Sequence, residues 1–461
     1  MEDQKNSRKV NTDSKNVSLK DINEKSKREA AKKGSNKTAI PDSMPKWRPE
    51  MAYVENKYYT GISKQYRKLK MGAVICLIVF VLGMLTVFGK DITVENLKYL
   101  IKDFDLGALN NSENYSKIIY DSAVSSEFGF FKGDLAVVGA GSSNLYNSTG
   151  SSVFTSSNSF YSPVLLTSDK YFLVYDKGDT SCTYSVYNAF SELKTEKTEY
   201  PISQVSLSND GTYAVVTRSS DYRGVVNVYN SNFQLVCKIR KDKYIMNVKL
   251  SDDGRKIVIV SAYDKSGEWC SEISLYDISK TEPDFSYEYE NELFLKVGYF
   301  KNGGFAVYTD KRLLFFNSSH EEAGEYEFSD NSPVKIHFGT KYTAVAFNHN
   351  VIGLDKSILI FDESGKLLYE SIHAGEVTTI ITRNDNCFIL FDEKVDMINI
   401  QSKEVVSKKI DTNCLDIVSV SEKTLLLCYS GSAVPLDFAE GTDNSEATDS
   451  ADVTAELDLG E

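Results

Sequence analysis

Ser208-Asn-Asp-Gly-Thr-Tyr-Ala-Val-Val-Thr217, with Tyr229-Asn230 further on, is one copy of a unit that recurs along the chain. The Asn, Asp and Gly tolerate the positive φ of a tight hairpin, and Ala214-Val-Val-Thr-Arg218 supplies a short apolar strand. The Tyr-Asn pair reads as a strand end. Its apolar side chain is expected to fill the gap to a neighbouring sheet, and its Asn to open the next turn by bonding its own backbone two residues on.

Aligned on the most hydrophobic strand, the units begin at Ala136, Phe172, Ala214, Ile257, Phe305, Ala344, Phe388 and Leu425. The spacings of 36, 42, 43, 48, 39, 44 and 37 residues match the roughly 40–45 residues of a four-stranded propeller blade. A large apolar residue followed by Asn or Asp comes 10 to 19 residues after each start. The pairs are Tyr146-Asn147, Tyr187-Asn188, Tyr229-Asn230, Tyr276-Asp277, Phe316-Asn317, Phe361-Asp362, Ile398-Asn399 and Leu436-Asp437. Ser251-Asp-Asp-Gly254 and Lys301-Asn-Gly-Gly304 repeat the hairpin signal. The last unit is one strand short, and Lys117-Ile-Ile-Tyr-Asp121, ahead of the first, is expected to complete it and close the ring. The reading is an all-β propeller over residues 111–437 with eight blades, or seven if the degenerate first unit does not count.

Outward from the repeats, Met71 to Gly89 is a run of 19 residues without a charged side chain, long enough to cross a bilayer as one helix. Lys64, Arg67, Lys68 and Lys70 crowd its N-terminal side and set the orientation, N-terminus inside and propeller outside the cytoplasm. Residues 1–70 carry 18 Lys and Arg against nine Asp and Glu, in a chain of net charge −13. Residues 1–64 read as a disordered basic cytoplasmic tail, 65–90 as a juxtamembrane segment with the span, and 91–110 as an amphipathic stalk capped at Thr93. The acidic stretch 438–461 reads as a solvated tail, because its carboxylates lack calcium-loop spacing.

The S-[ND]-D-G hairpins and aromatic-Asn or aromatic-Asp strand ends resemble those of the WD40 and YVTN-like propellers, without the Trp-Asp dipeptide. The basic tail, single span, Asn96-Leu-Lys-Tyr-Leu-Ile-Lys-Asp103 segment and propeller together are similar to an uncharacterised family of bacterial single-pass membrane proteins, a domain of unknown function. That resemblance implies an extracytoplasmic propeller and transfers no catalytic residue.

Chemistry-bearing motifs are few. Gly139-x-Gly141 follows a strand, but Asn144 replaces the third Gly of a dinucleotide turn and no βαβ unit surrounds it, so it reads as a hairpin. No nucleophile elbow, P-loop or H-E-x-x-H occurs. His320, His337, His349 and His373 lack metal-ligand spacing, and the six cysteines outside the span read as free core thiols, although 15 disulfide connectivities are open to them. The expectation is a non-catalytic binding or scaffold module at the membrane, without cofactor or metal, facing a protein or a cell-envelope polymer and no nucleic acid. A propeller hydrolase and a transmembrane sensor are the alternatives. Carboxylates converging on one face would favour the enzyme, and an aromatic or apolar patch would favour binding.

Overall fold

Patterning within each repeat sorts its strands from buried to exposed. Second strands such as Tyr213–Thr217 and Thr424–Cys428 are buried along their whole length, since their aliphatic and aromatic side chains meet a neighbouring sheet on both faces. Fourth strands such as Glu192–Lys197 show only alternate residues partly covered. The computed structural model describes residues 65–83, 115–121, 126–328, 332–350, 353 and 355–439, and among them the strands form eight four-stranded antiparallel sheets. The chain divides into two units, Met1–Gly89 and Lys90–Glu461.

Seven blades are continuous in sequence. The third, for example, is Ile202–Leu207, Tyr213–Thr217, Gly224–Tyr229 and Leu235–Lys241. The eighth joins Asp416–Ser419, Thr424–Cys428 and Ser432–Asp437 to Ile118–Ile119 from the other end of the chain, with Ile118 opposite Ala433 and Ile119 opposite Ser432. The ring therefore has eight blades, and the strand at Lys117–Asp121 closes it. Between blades eight and one, Ile118, Leu135, Val137, Leu426, Cys428 and Ala433 form one buried layer, and every other neighbouring pair has a similar layer. Stability is thus spread over blade interfaces, with no single central core.

Antiparallel order fixes which loops share a face. Turns between first and second strands, and between third and fourth, lie on one face of the ring, the lower face. Hairpins between second and third strands and the links between blades lie on the upper face. On the lower face Gly211 and Gly254 take φ of +88° and +65°. A Cβ on Gly254 would stand 2.5 Å from Asp210 Oδ1, so the hairpin of one blade rests on that of the preceding one. Gly139 donates its N–H to the Ser142 carbonyl at 2.9 Å, which makes the Gly-x-Gly segment a hairpin turn on the upper face.

In the N-terminal unit residues 65–83 form an α-helix, with Arg67, Lys68 and Lys70 in its first turns and Val74 to Leu82 exposed. No helix among the described residues is long and apolar enough to cross a membrane. The expected span at 71–89 is described only to residue 83, and the described helix gives its first six positions to the charged flank. Lys64, the tails at 1–64 and 440–461, and the stalk at 91–110 lie outside the described residues.

Candidate functional site: the central channel and the upper face

Each repeat-signature residue ends a third strand. Tyr187 pairs with Phe172 and stacks on it at 4.8 Å, Tyr229 stacks on Tyr213 at 5.0 Å, and Phe316 on Phe305 at 4.7 Å. Tyr146, Tyr276 and Phe361 sit at the same register, opposite Leu135, Ile257 and Thr343. The following residue caps the turn. Asn147, Asn188, Asn230, Asp277, Asn317 and Asp362 each accept, through a side-chain oxygen, the N–H two residues on, at 2.8–3.0 Å. Asp437 does the same at 2.9 Å, whereas Asn399 reaches three residues on, to Ser402. These positions build blades and bring no reactive groups together.

The first strands stand side by side around the axis, from Glu127–Phe131 round to Asp416–Ser419 and back. As inner edge strands they carry backbone groups that their own sheet leaves unpaired. Polar side chains reach across to the next blade and satisfy some of them. Gln204 both donates to the Val248 carbonyl and accepts its N–H at 3.2 Å, Asn247 accepts the Val297 N–H at 3.1 Å, and Ser206 accepts the Leu250 N–H at 3.0 Å. Ladder register places Glu127, Gln204, Asn247, Lys296, Lys335, Thr379 and Asp416 at one level of the channel.

Charge is divided around that level. Blades four to six contribute Lys249, Lys296, Lys335 and His337, while blades eight and one contribute Asp416 and Glu127. Burial pulls both Lys249 and Lys296 below the usual lysine range. Burial also holds His337 down to about 4, reinforced by the charges of Lys296 and Lys249. On the opposite side burial raises Asp416 despite the Thr379 hydroxyl that donates to it at 2.9 Å, and burial together with Asp416 raises Glu127. The channel therefore has a positive sector and an acidic sector whose carboxyls are raised above their ordinary values.

The upper face carries the second feature. Blade four extends its middle strands to ten residues each, Lys256–Lys265 and Glu268–Asp277, joined through Ser266 and Gly267 at φ of 60° and 92°. This arm holds Trp269 opposite Asp264, with Trp269 56 % exposed. Below it Tyr244, Ile245, Met246, Leu293, Arg223 and Trp269 line an apolar pocket of about 250 Å³, and the Arg223 guanidinium stands 4.8 Å above the Tyr244 ring. Lysines hold the arm's opposite side, where Lys241 and Lys243 both pair with Glu272 and Lys243 also meets Glu288 at 2.6 Å. The sequence carried a trace of this arm, because 19 residues separate Ile257 from Tyr276 and blade four has the longest repeat spacing, 48.

Residues 110–434 match the sequence profile of a family of unknown function, DUF5711. The chain belongs to this family. No curated protein matches it significantly. Among solved structures this DUF5711 chain is similar to BamB from Moraxella catarrhalis at 13 % identity and a TM-score of 0.48, over 70 % of this chain and 99 % of that one. It is also similar to the Myceliophteria thermophila Cps50 (Swd1) β-propeller domain, at 11 % identity and a TM-score of 0.43 over 64 % and 99 %. Kuenenia stuttgartiensis hydrazine synthase gives 12 % identity and a TM-score of 0.40 over 71 % and 99 %. At such scores the fold assignment rests on the blades themselves.

The remaining candidates are structural. His373 Nδ1 lies 2.8 Å from Asp396 and its Nε2 lies 3.0 Å from the Tyr369 hydroxyl, an arrangement reminiscent of a catalytic relay. All three are buried at the contact of blades six and seven. His320 stacks on Phe285 at 5.1 Å and His349 meets the Ser357 hydroxyl at 3.1 Å. Among the described residues no three His, Cys, Asp or Glu side chains gather to hold a metal. All seven cysteines are free, and burial raises the Cys387 and Cys428 thiols.

Proposed function

We propose that the chain is a membrane-anchored, extracytoplasmic binding module that recruits a protein partner through the upper face of its propeller, without catalysis of its own. The observation that carries this reading is the Trp269 arm over the apolar pocket of Tyr244, Ile245, Met246 and Leu293. An exposed Trp beside Tyr, Met and Arg is the composition of protein-binding hot spots, because large rigid rings release water at little cost in conformational entropy. The arm and its pocket sit on blade links and hairpins, the segments that a propeller can vary without disturbing its buried layers.

Anchoring rests on Met71–Gly89 and its basic flank. Val74, Ile75, Leu77, Ile78, Val79, Phe80, Val81 and Leu82 are exposed around the whole helix, and a helix apolar on every side is at home only in an apolar environment.

The test is crosslinking in intact cells, then recovery of the full-length chain as wild type and as Trp269→Ala and Tyr244→Ala. A defined protein complex that is lost in both variants supports the proposal. Recovery unaffected by either substitution, or recovery of glycan without protein, overturns it.

A further inference from the structure

We infer that the positive sector of the central channel, built from Lys249, Lys296 and His337, is a binding site for a phosphate group.

Three consecutive blades deliver these side chains to one side of the channel. Lys249 and His337 occupy the same register of their inner strands, opposite Val258 and Ala344, and Lys296 lies two residues further toward the upper face on the blade between them. The Lys296 ammonium stands 6.0 Å from the Phe338 ring centroid, so its stem crosses from blade five to blade six, toward His337. Several partly covered cations elsewhere in the chain have carboxylate partners. Lys241 and Lys243 share Glu272, Arg312 bridges Glu292 and Glu325, and Lys394 meets Asp396 at 2.9 Å. No carboxylate lies within ion-pair distance of Lys249 or Lys296 among the described residues, although the chain as a whole has 65 Asp and Glu against 52 Lys and Arg.

Lysines gathered on one side of a channel, with Lys249 half-buried and Lys296 open to the channel, favour an anion that joins them. Burial lowers both lysines and His337, the charge of Lys296 presses further on Lys249 against the pull of Asp252, and both lysines press on His337. A phosphate monoanion fits the donor set. Its charged oxygens accept from the two ammonium groups, while neutral His337 has one ring N–H to donate and one ring nitrogen to accept the phosphate O–H. A carboxylate lacks that hydroxyl and would leave the accepting nitrogen unused. The group could arrive as free phosphate or as a phosphate ester.

Titration of the full-length chain with inorganic phosphate, glycerol 1-phosphate and acetate, read by calorimetry and by the histidine proton resonances, tests the inference. Four histidines keep the spectrum assignable. Saturable phosphate binding is expected, with an upward shift of the His337 titration as bound anion is added. Lys249→Met and Lys296→Met should each weaken it about tenfold or more, the usual scale for a charge-assisted bond, and Lys409→Met on an outer strand should not. Binding of glycerol 1-phosphate as well assigns a terminal phosphoester, and its exclusion assigns the free ion. The inference falls if neither phosphate binds, if acetate binds equally well, or if Lys409→Met weakens binding as much as the channel variants.

Discussion

The Tyr120 hydroxyl donates a hydrogen bond to the carbonyl oxygen of Tyr429 at 2.7 Å, across 309 positions of sequence. With the pairing of Ile118 to Ala433, this contact fastens the N-terminal strand into the last blade, from which the chain passes on to the first. A propeller left open here would expose strand edges on both sides of the gap.

The closing strand should therefore govern the stability of the whole ring. Ile118→Ala removes a fully buried side chain from the layer between blades eight and one and is expected to cost about 2–5 kcal/mol. Tyr120→Phe should cost about 1 kcal/mol through the lost bond. Denaturant unfolding of the full-length chain measures both, and a cost confined to protease sensitivity near residue 118 would show that the ring does not unfold as one.

The strand-end caps should behave as acceptors of backbone hydrogen bonds. Asn317 Oδ1 accepts the N–H groups of Ser319 at 2.8 Å and Glu321 at 3.1 Å. Asn317→Ala is expected to destabilise by about 1 kcal/mol, while Asn317→Asp keeps the acceptor and should be close to neutral. Equal losses in the two variants, compared by thermal unfolding, would remove the acceptor role.

Asp396 should make the contact between blades six and seven sensitive to acid. Burial pushes its carboxyl up, but the bonds from His373, Ser407 and Lys394 outweigh burial and hold it below the ordinary 3.8. A carboxyl depressed in the folded state stabilises fully above the unfolded value, and that contribution disappears as pH falls through the lower folded one. Asp396→Asn is expected to cost about 3 kcal/mol at neutral pH and to flatten the stability profile below about pH 4. Urea midpoints measured from pH 7 down to 3 on both proteins provide the comparison.

His337 has the opposite charge and a different window. Its folded value, held down to about 4 from the ordinary 6.5 by burial and then by Lys296 and Lys249, means that the unfolded chain takes up the proton first. Stability on this account is fully present above about pH 6.5 and declines as pH falls toward 4. His337→Gln should remove that decline while the Asp396 component, at lower pH, remains. A profile between pH 7 and 4 that is unchanged in His337→Gln would refute the assignment.

Gly298 leaves no room for a side chain, because the Cβ and ring of Phe338 in the next blade fill the space that a Cβ would occupy. Gly298→Ala is expected to cost about 1–3 kcal/mol by overpacking, and the same change should cost less in a Phe338→Gly background, which lacks both the Cβ and the ring. Non-additivity in that double-mutant cycle is the readout.

Much of this architecture is local and therefore visible before folding. The Ser208–Gly211 hairpin with its two counterparts, and the Tyr229-Asn230 strand end with its seven, depend on residues a few positions apart, so each blade declares itself in its own stretch of sequence. Even the closing strand at Ile118 could be read, from the missing strand of the last unit. The channel was not legible. Lys249, Lys296 and His337 are 47 and 41 positions apart in succession and carry no common motif, and their strands read only as moderately apolar segments. Trp269 was equally silent, although the long interval from Ile257 to Tyr276 marked the hairpin that carries it.

The sequence by itself determined the repeating blade and the apolar run at Met71 to Gly89, because hydrophobic period and turn chemistry act over short distances, while the choice of eight blades over seven came from the sheet pairing. Only the tertiary structure decided which side chains share the channel and where the Trp269 arm stands. Ring closure turns positions separated by a whole repeat into neighbours, and the charge of one inner strand then meets that of the next.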